Sequence, residues 1–113
     1  MKVYGIKACG SVKKATTFLD SHNISYEFID LKKVQLTLED INSWLQYIPL
    51  EKLLNRQGTT YKKFGLKDMN LDEDSIKEWL LKEQMLIKRP VLVMTDKVLV
   101  GFDENAYLLI PSA

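Results

Sequence analysis

The chain has no second cysteine. Cys9 stands alone among 113 residues, which excludes an internal disulfide, a two-cysteine redox switch and any cysteine-rich metal cluster. Histidine is equally scarce. His22 is the only one, so no histidine pair is available to hold a metal, and the chain is expected to carry no metal site. The acids fall in stretches that read as solvated helix. Charge of one sign is also missing: sixteen Lys and Arg against fifteen Asp and Glu leave a formal +1, too balanced to favour direct nucleic-acid or membrane binding through bulk electrostatics. No apolar run approaches the ~18 residues of a membrane span. Lys2 and Lys7 interrupt the apolar N-terminal stretch early, so it does not read as a signal peptide. With a lone thiol, this favours the reducing cytoplasm. Repeats, low-complexity tracts and a linker are likewise missing, and 46% hydrophobic residues suffice for one ordinary core. A single domain over 1–113 is expected.

What is present reads as alternating strands and helices. "KVYGI" at residues 2 to 6 has the character of a short buried strand, while Val12, Ala15, Phe18, Leu19 and His22 recur at the spacing of one helix face. Asn23 suits a left-handed helix stop, after which Ile24, Tyr26 and Phe28 alternate as a second strand. Thr37 with Asp40 marks a helix N-terminus ahead of Leu38, Ile41, Trp44, Leu45 and Ile48. Pro49 closes that helix or opens a short one. "RQGTTYKKFG" and "NLDEDSIKEWLLKEQ" give two further helices, the second with acids in its first turn. After "RP", Val91 to Met94 and Val98 to Val100 flank "TDK" as a hairpin, and Asp103 can cap a last helix through Ala106, Tyr107 and Leu109. The order is β-α-β, a helical insert, then β-β-α. That order fits an α/β thioredoxin-like fold with a mixed four-stranded sheet.

Cys9 lies where the first strand feeds the first helix, and it has two readings. It is a small hydrophobe packed on the sheet, or a thiol facing unpaired helix N–H groups and the positive end of the helix dipole, which favour the thiolate. The strand-to-helix position favours the second. "IKRPVLV" supplies the complement. In this fold order Pro90, opening the third strand with an expected cis bond, faces the Cys9 loop and brings Arg89 with it. A guanidinium there suits an oxyanion, a carboxylate or a neighbouring thiolate. A surface ion pair is the plainer role for Arg89, and a trans edge-strand proline that for Pro90. Ser11 is either a donor to the thiolate or an ordinary helix cap. His22 reads as a helix-end residue, and Trp44 and Trp79 read as core. Lys52, Arg56, Lys62 and Lys63 are a solvated face by default or a basic rim for an anionic partner.

Four blocks, "YGIKACGSVKKA", "LLNRQGTTYKK", "MLIKRPVLV" and "VLVGFDENAY", occur in order along nearly the whole chain. Together they resemble the arsenate reductase-like family of ArsC, Spx and YffB proteins, most closely its YffB-like branch. The resemblance implies a thiol-dependent reductase in which Cys9 is the nucleophile, Arg89 its anion-binding partner and Pro90 the conformational proline beside it. No bound cofactor is implied. With one cysteine, a mixed disulfide must be resolved from outside, so glutathione or a glutaredoxin is the expected co-substrate or partner. Glutaredoxin-coupled arsenate reductases use two further arginines. The first position matches Asn55, with Arg56 adjoining, and the second falls at Gly101 and Phe102, which carry no cation. The alternative from the same family is an Spx-like regulator that binds RNA polymerase without turnover. Its usual second cysteine is here Val12, so a Cys-x-x-Cys switch is excluded.

Overall fold

A computed structural model describes residues 1–111. In chain order the elements are β1 (Lys2–Gly5), α1 (Gly10–Ser21), β2 (Glu27–Asp30), α2 (Leu38–Trp44), α3 (Leu50–Leu53), α4 (Thr59–Lys63), α5 (Glu73–Lys82), β3 (Val91–Val93), β4 (Val98–Val100) and α6 (Glu104–Tyr107). Single 3-10 turns at Leu66–Asp68 and Gln84–Leu86 flank α5. The chain gathers into two compact units. One is Met1–Val34 with the chain from Arg89 onward, and the other is Gln35–Lys88.

The first unit is built on a sheet of order β2-β1-β3-β4. β1 and β2 are parallel, with Val3 opposite Phe28, because α1 carries the chain back between them. β3 runs antiparallel to β1, with Tyr4 opposite Val91, and β4 antiparallel to β3. This is the mixed four-stranded sheet of a thioredoxin-like fold. Val3, Ala15, Phe18, Leu19, Leu92 and Tyr107 form its buried core. Each such aliphatic side chain taken fully from water stabilises the fold by roughly 1.5 to 3 kcal/mol. The helix face read from the sequence is therefore the face that packs on the sheet.

Asn23 does take the left-handed conformation, at φ 55°. Its N–H donates to the Asp20 carbonyl at 3.2 Å, and the Ile24 N–H donates to that of Leu19 at 2.9 Å. Those two bonds close the C-terminus of α1 in the Schellman pattern. They also explain why β2 begins at Glu27 and not at Ile24. The Ile24 amide is committed to the helix cap, so the ladder to β1 starts three residues later. Ile24 is still buried in the core.

In the second unit, Thr37 and Asp40 form a reciprocal capping box at α2: the Thr37 hydroxyl accepts from the Asp40 N–H at 3.2 Å, and the Asp40 carboxylate accepts from the Thr37 N–H at 2.9 Å. The helix stops at Trp44, well before Ile48. A residue ahead of proline is driven out of the α region, so Pro49 opens α3 and the chain turns between them. Leu54 and Ile87 bridge antiparallel, with the Asn55 N–H on the Leu86 carbonyl and the Lys88 N–H on that of Leu53, each at 2.8 Å. Ile41, Trp44, Leu53, Leu66, Leu80 and Leu86 are among the unit's buried hydrophobic residues. Trp79 packs on Phe64 with ring centroids 5.4 Å apart. No helix among the described residues is long and apolar enough to cross a membrane.

Candidate active site

β1 ends at Gly5, and the chain turns before α1 so that the Cys9 N–H donates to the Ile6 carbonyl at 3.2 Å. Cys9 is the N-cap of α1, with φ −81° and ψ 127°, and its carbonyl receives the Lys13 N–H at 3.1 Å. The half-buried sulfur thus stands at the open end of a helix of 12 residues. It makes no cap hydrogen bond of strict geometry. The N–H groups of Val12 and Ser11 nevertheless face it closely enough to favour its anion, and a soft thiolate tolerates that longer range.

Arg89 arrives from the other side. β3 is the antiparallel neighbour of β1, so the start of β3 lies beside the end of β1, where Cys9 follows. The guanidinium donates a hydrogen bond to the sulfur and adds its charge. Burial by itself pushes the Cys9 thiol up. The Val12 and Ser11 amides, and then Arg89 by hydrogen bond and by charge, outweigh it and hold the thiol below its ordinary value. Helix geometry and one arginine thus act together to favour the anionic form of Cys9.

Behind Arg89 the backbone is pinned. The Arg89–Pro90 bond is cis and Pro90 is buried. Its carbonyl accepts the Gly101 N–H at 2.8 Å, and the Gly101 carbonyl in turn accepts the Tyr107 hydroxyl at 2.7 Å. Gly101 sits at φ 79°, where a side chain is strained, and Phe102 packs edge-on to Tyr107 with centroids 5.0 Å apart. An arginine at 101 would have to adopt that left-handed backbone. The corner that could have carried a second cation is built instead from a glycine turn and an aromatic pair.

The remaining sequence candidates divide. Ser11 faces the sulfur with its backbone N–H, and its side chain is exposed. Arg56 is an exposed residue of the second unit, where it lines a cavity of about 520 Å³ with Tyr61, Lys62, Lys67 and Asp68. Asn55 is spent on its own turn, its Oδ1 accepting the Gln57 N–H at 3.2 Å. His22 closes α1, with Nδ1 2.9 Å from the Phe18 carbonyl and its ring stacked on Phe18 at 3.9 Å. Among the described residues no three His, Cys, Asp or Glu side chains gather as a metal site.

Gly5 is the residue that sequence reasoning passed over. A Cβ there would lie 2.7 Å from Cγ2 of Val12, the residue whose amide faces the sulfur. The signal was available, since a lone glycine inside a strand marks close approach by another element.

Fold and site together define a thioredoxin-like protein with one arginine-supported cysteine at the N-cap of its first helix. The ArsC family model matches residues 4–110, and the chain belongs to that family. It is 34% identical to an uncharacterized protein of Haemophilus influenzae over 93% of both chains. The solved structure of the YffB protein is 41% identical over 95% of both chains, with a TM-score of 0.88. More distantly, the global transcriptional regulator Spx 2 of Bacillus cereus is 25% identical over 91% of this chain and 80% of its own length.

Proposed function

We propose that this protein is a cytoplasmic monothiol oxidoreductase that uses Cys9 to exchange thiols with glutathione-linked disulfides. The observation that carries the reading is the set of donors on one sulfur: two helix-end amides and the Arg89 guanidinium. A sulfur so held ionises more readily than an ordinary cysteine, which makes it both a readier attacking group and a better leaving group. In the first step the Cys9 thiolate attacks a mixed disulfide R–S–S–G at its glutathionyl sulfur. The Cys9–S–S–G bond forms, and R leaves as a thiolate that takes a proton from water. In the second step the thiolate of free glutathione attacks that bond, restoring the Cys9 thiolate and releasing oxidised glutathione. Over both steps, R–S–S–G and one free glutathione become R–SH and oxidised glutathione, so one glutathione thiol is oxidised as the R sulfur is reduced. Arg89 holds the sulfur as an anion at both ends of the cycle. A glutaredoxin thiolate can replace glutathione in the second step.

Arsenate is a weaker fit for this site. Bringing a multiply charged oxyanion against a thiolate requires several compensating cations, and the Gly101–Phe102 corner supplies none. The test is mass spectrometry after incubation with oxidised glutathione, beside an arsenate reductase assay with glutaredoxin. One glutathionyl adduct is expected on wild type and none on Cys9→Ser, with little arsenite formed. Efficient Cys9-dependent arsenite production would transfer the assignment to arsenate reduction. No adduct, together with RNA polymerase captured equally by wild type and Cys9→Ser, would transfer it to a regulator of the Spx kind.

A further inference from the structure

Beside α1, on the side toward the edge strand β2, a cavity of about 310 Å³ is lined by Lys7, Val12, Lys13, Thr16, Tyr26 and Phe28. We infer that this cavity is the subsite for the glutathionyl half of the disulfide, with Lys7 and Lys13 receiving its carboxylates. The inference rests on the thiol-exchange reading of Cys9 and adds where the partner is held.

Its place relative to the sulfur is set by Val12. The amide of Val12 faces Cys9, and the same residue lines the cavity. Lys7 precedes Cys9 by two residues in the same loop, and the Lys13 amide is bonded to the Cys9 carbonyl. Both lysines are exposed, and no carboxylate is among the six lining residues. A glutathionyl unit carries two carboxylates against one ammonium, so the charges are complementary. Tyr26 and Phe28, two residues apart, supply an aromatic wall. Tyr26 is held there by its hydroxyl on Asp20 Oδ1 at 3.0 Å. β2 is an edge of the sheet, and the ladder uses the amides of Glu27 and Leu31, so strand alternation turns the N–H of Phe28 away from β1. That outward group suits the peptide bonds of the ligand. The volume lies at the lower end of the roughly 300 to 1,000 Å³ of ligand sites, the scale of a tripeptide.

The test compares two disulfides of different charge on the intact protein: oxidised glutathione, and hydroxyethyl disulfide, which has no carboxylate. Rates of Cys9 adduct formation are followed by mass spectrometry. Each exposed ion pair is worth a few-fold at most, so Lys7→Ala/Lys13→Ala should slow the glutathione reaction about fivefold. Neither lysine is among the groups that tune the sulfur, so the reaction with hydroxyethyl disulfide should change less than twofold. Lys7→Arg/Lys13→Arg should restore the glutathione rate, and added salt should slow only the glutathione reaction of the wild type. If both rates fall in parallel, or neither falls, the subsite is wrong while thiol exchange stands. If wild type accepts neither disulfide, thiol exchange fails and the subsite falls with it.

Discussion

Replacing Arg89 with Ala removes one donor and, among the described residues, the one cationic side chain that lowers the Cys9 thiol. A hydrogen bond to a charged group is worth about 1.5 to 3 kcal/mol. Cys9 is only half-buried, so water recovers part of that, and about 1 kcal/mol is a fair expectation for the loss. Because 1.36 kcal/mol corresponds to a factor of ten in ionisation, the thiolate population at a pH below its titration should fall about fivefold. The assay is the rate of alkylation by neutral iodoacetamide across pH, with circular dichroism confirming that the variant is folded. Arg89→Ala should shift the profile to higher pH and react about fivefold more slowly on its acidic limb. Arg89→Lys should retain part of the rate, since charge survives while the planar donor geometry is lost. A profile for Arg89→Ala that superimposes on wild type would refute the arginine's role and leave the helix end as the sole source of activation.

The same site has a stability signature. The folded state depresses the Cys9 thiol, so its contribution is present above the ordinary value of 9.0 and is lost as pH falls through the lower folded value; the stability gap between wild type and Cys9→Ser should therefore widen as pH rises across that window, as read by urea unfolding at several pH values. Gly5→Ala should cost about 1 to 3 kcal/mol in the same assay, because its new methyl meets the buried Val12 side chain at 2.7 Å, and should also slow Cys9 alkylation by disturbing the Val12 amide. Tyr107→Phe should destabilise by about 1 to 2 kcal/mol through loss of the buried bond to Gly101. Burial, then the nearby Asp103 charge, raises the Tyr107 hydroxyl well above its ordinary 10.0, so wild type should lose stability above pH 10 and the penalty of Tyr107→Phe should shrink there. Thr37→Ala should cost about 1 kcal/mol by opening the capping box of α2.

Local chemistry is legible in the sequence. The stop at Asn23, the capping box at Thr37 and Asp40, the turn opened by Pro49 and the cap at Asp103 each depend on residues within a few positions, so composition and spacing suffice to place them. The periodicity of Val12, Ala15, Phe18 and Leu19 likewise announced the buried face of α1. β2 starts three residues later than its apolar sequence suggests, because the Ile24 amide is claimed by a helix that ended three residues earlier.

The sequence by itself determined that any thiol chemistry here must run through one sulfur with an external partner, and that this sulfur stands where a strand feeds a helix. Tertiary structure decided what that sulfur experiences. Arg89 is 80 residues from Cys9 along the chain, and only the antiparallel pairing of β3 with β1 brings the two together. Val12 reads in sequence as a missing cysteine, yet in the fold its amide faces the Cys9 sulfur and it lines the neighbouring cavity. Gly5 reads as a gap in a strand, and its reason is the methyl of Val12 lying against it. These are contacts across elements, and their energies exist only once the sheet has fixed which strand lies beside which.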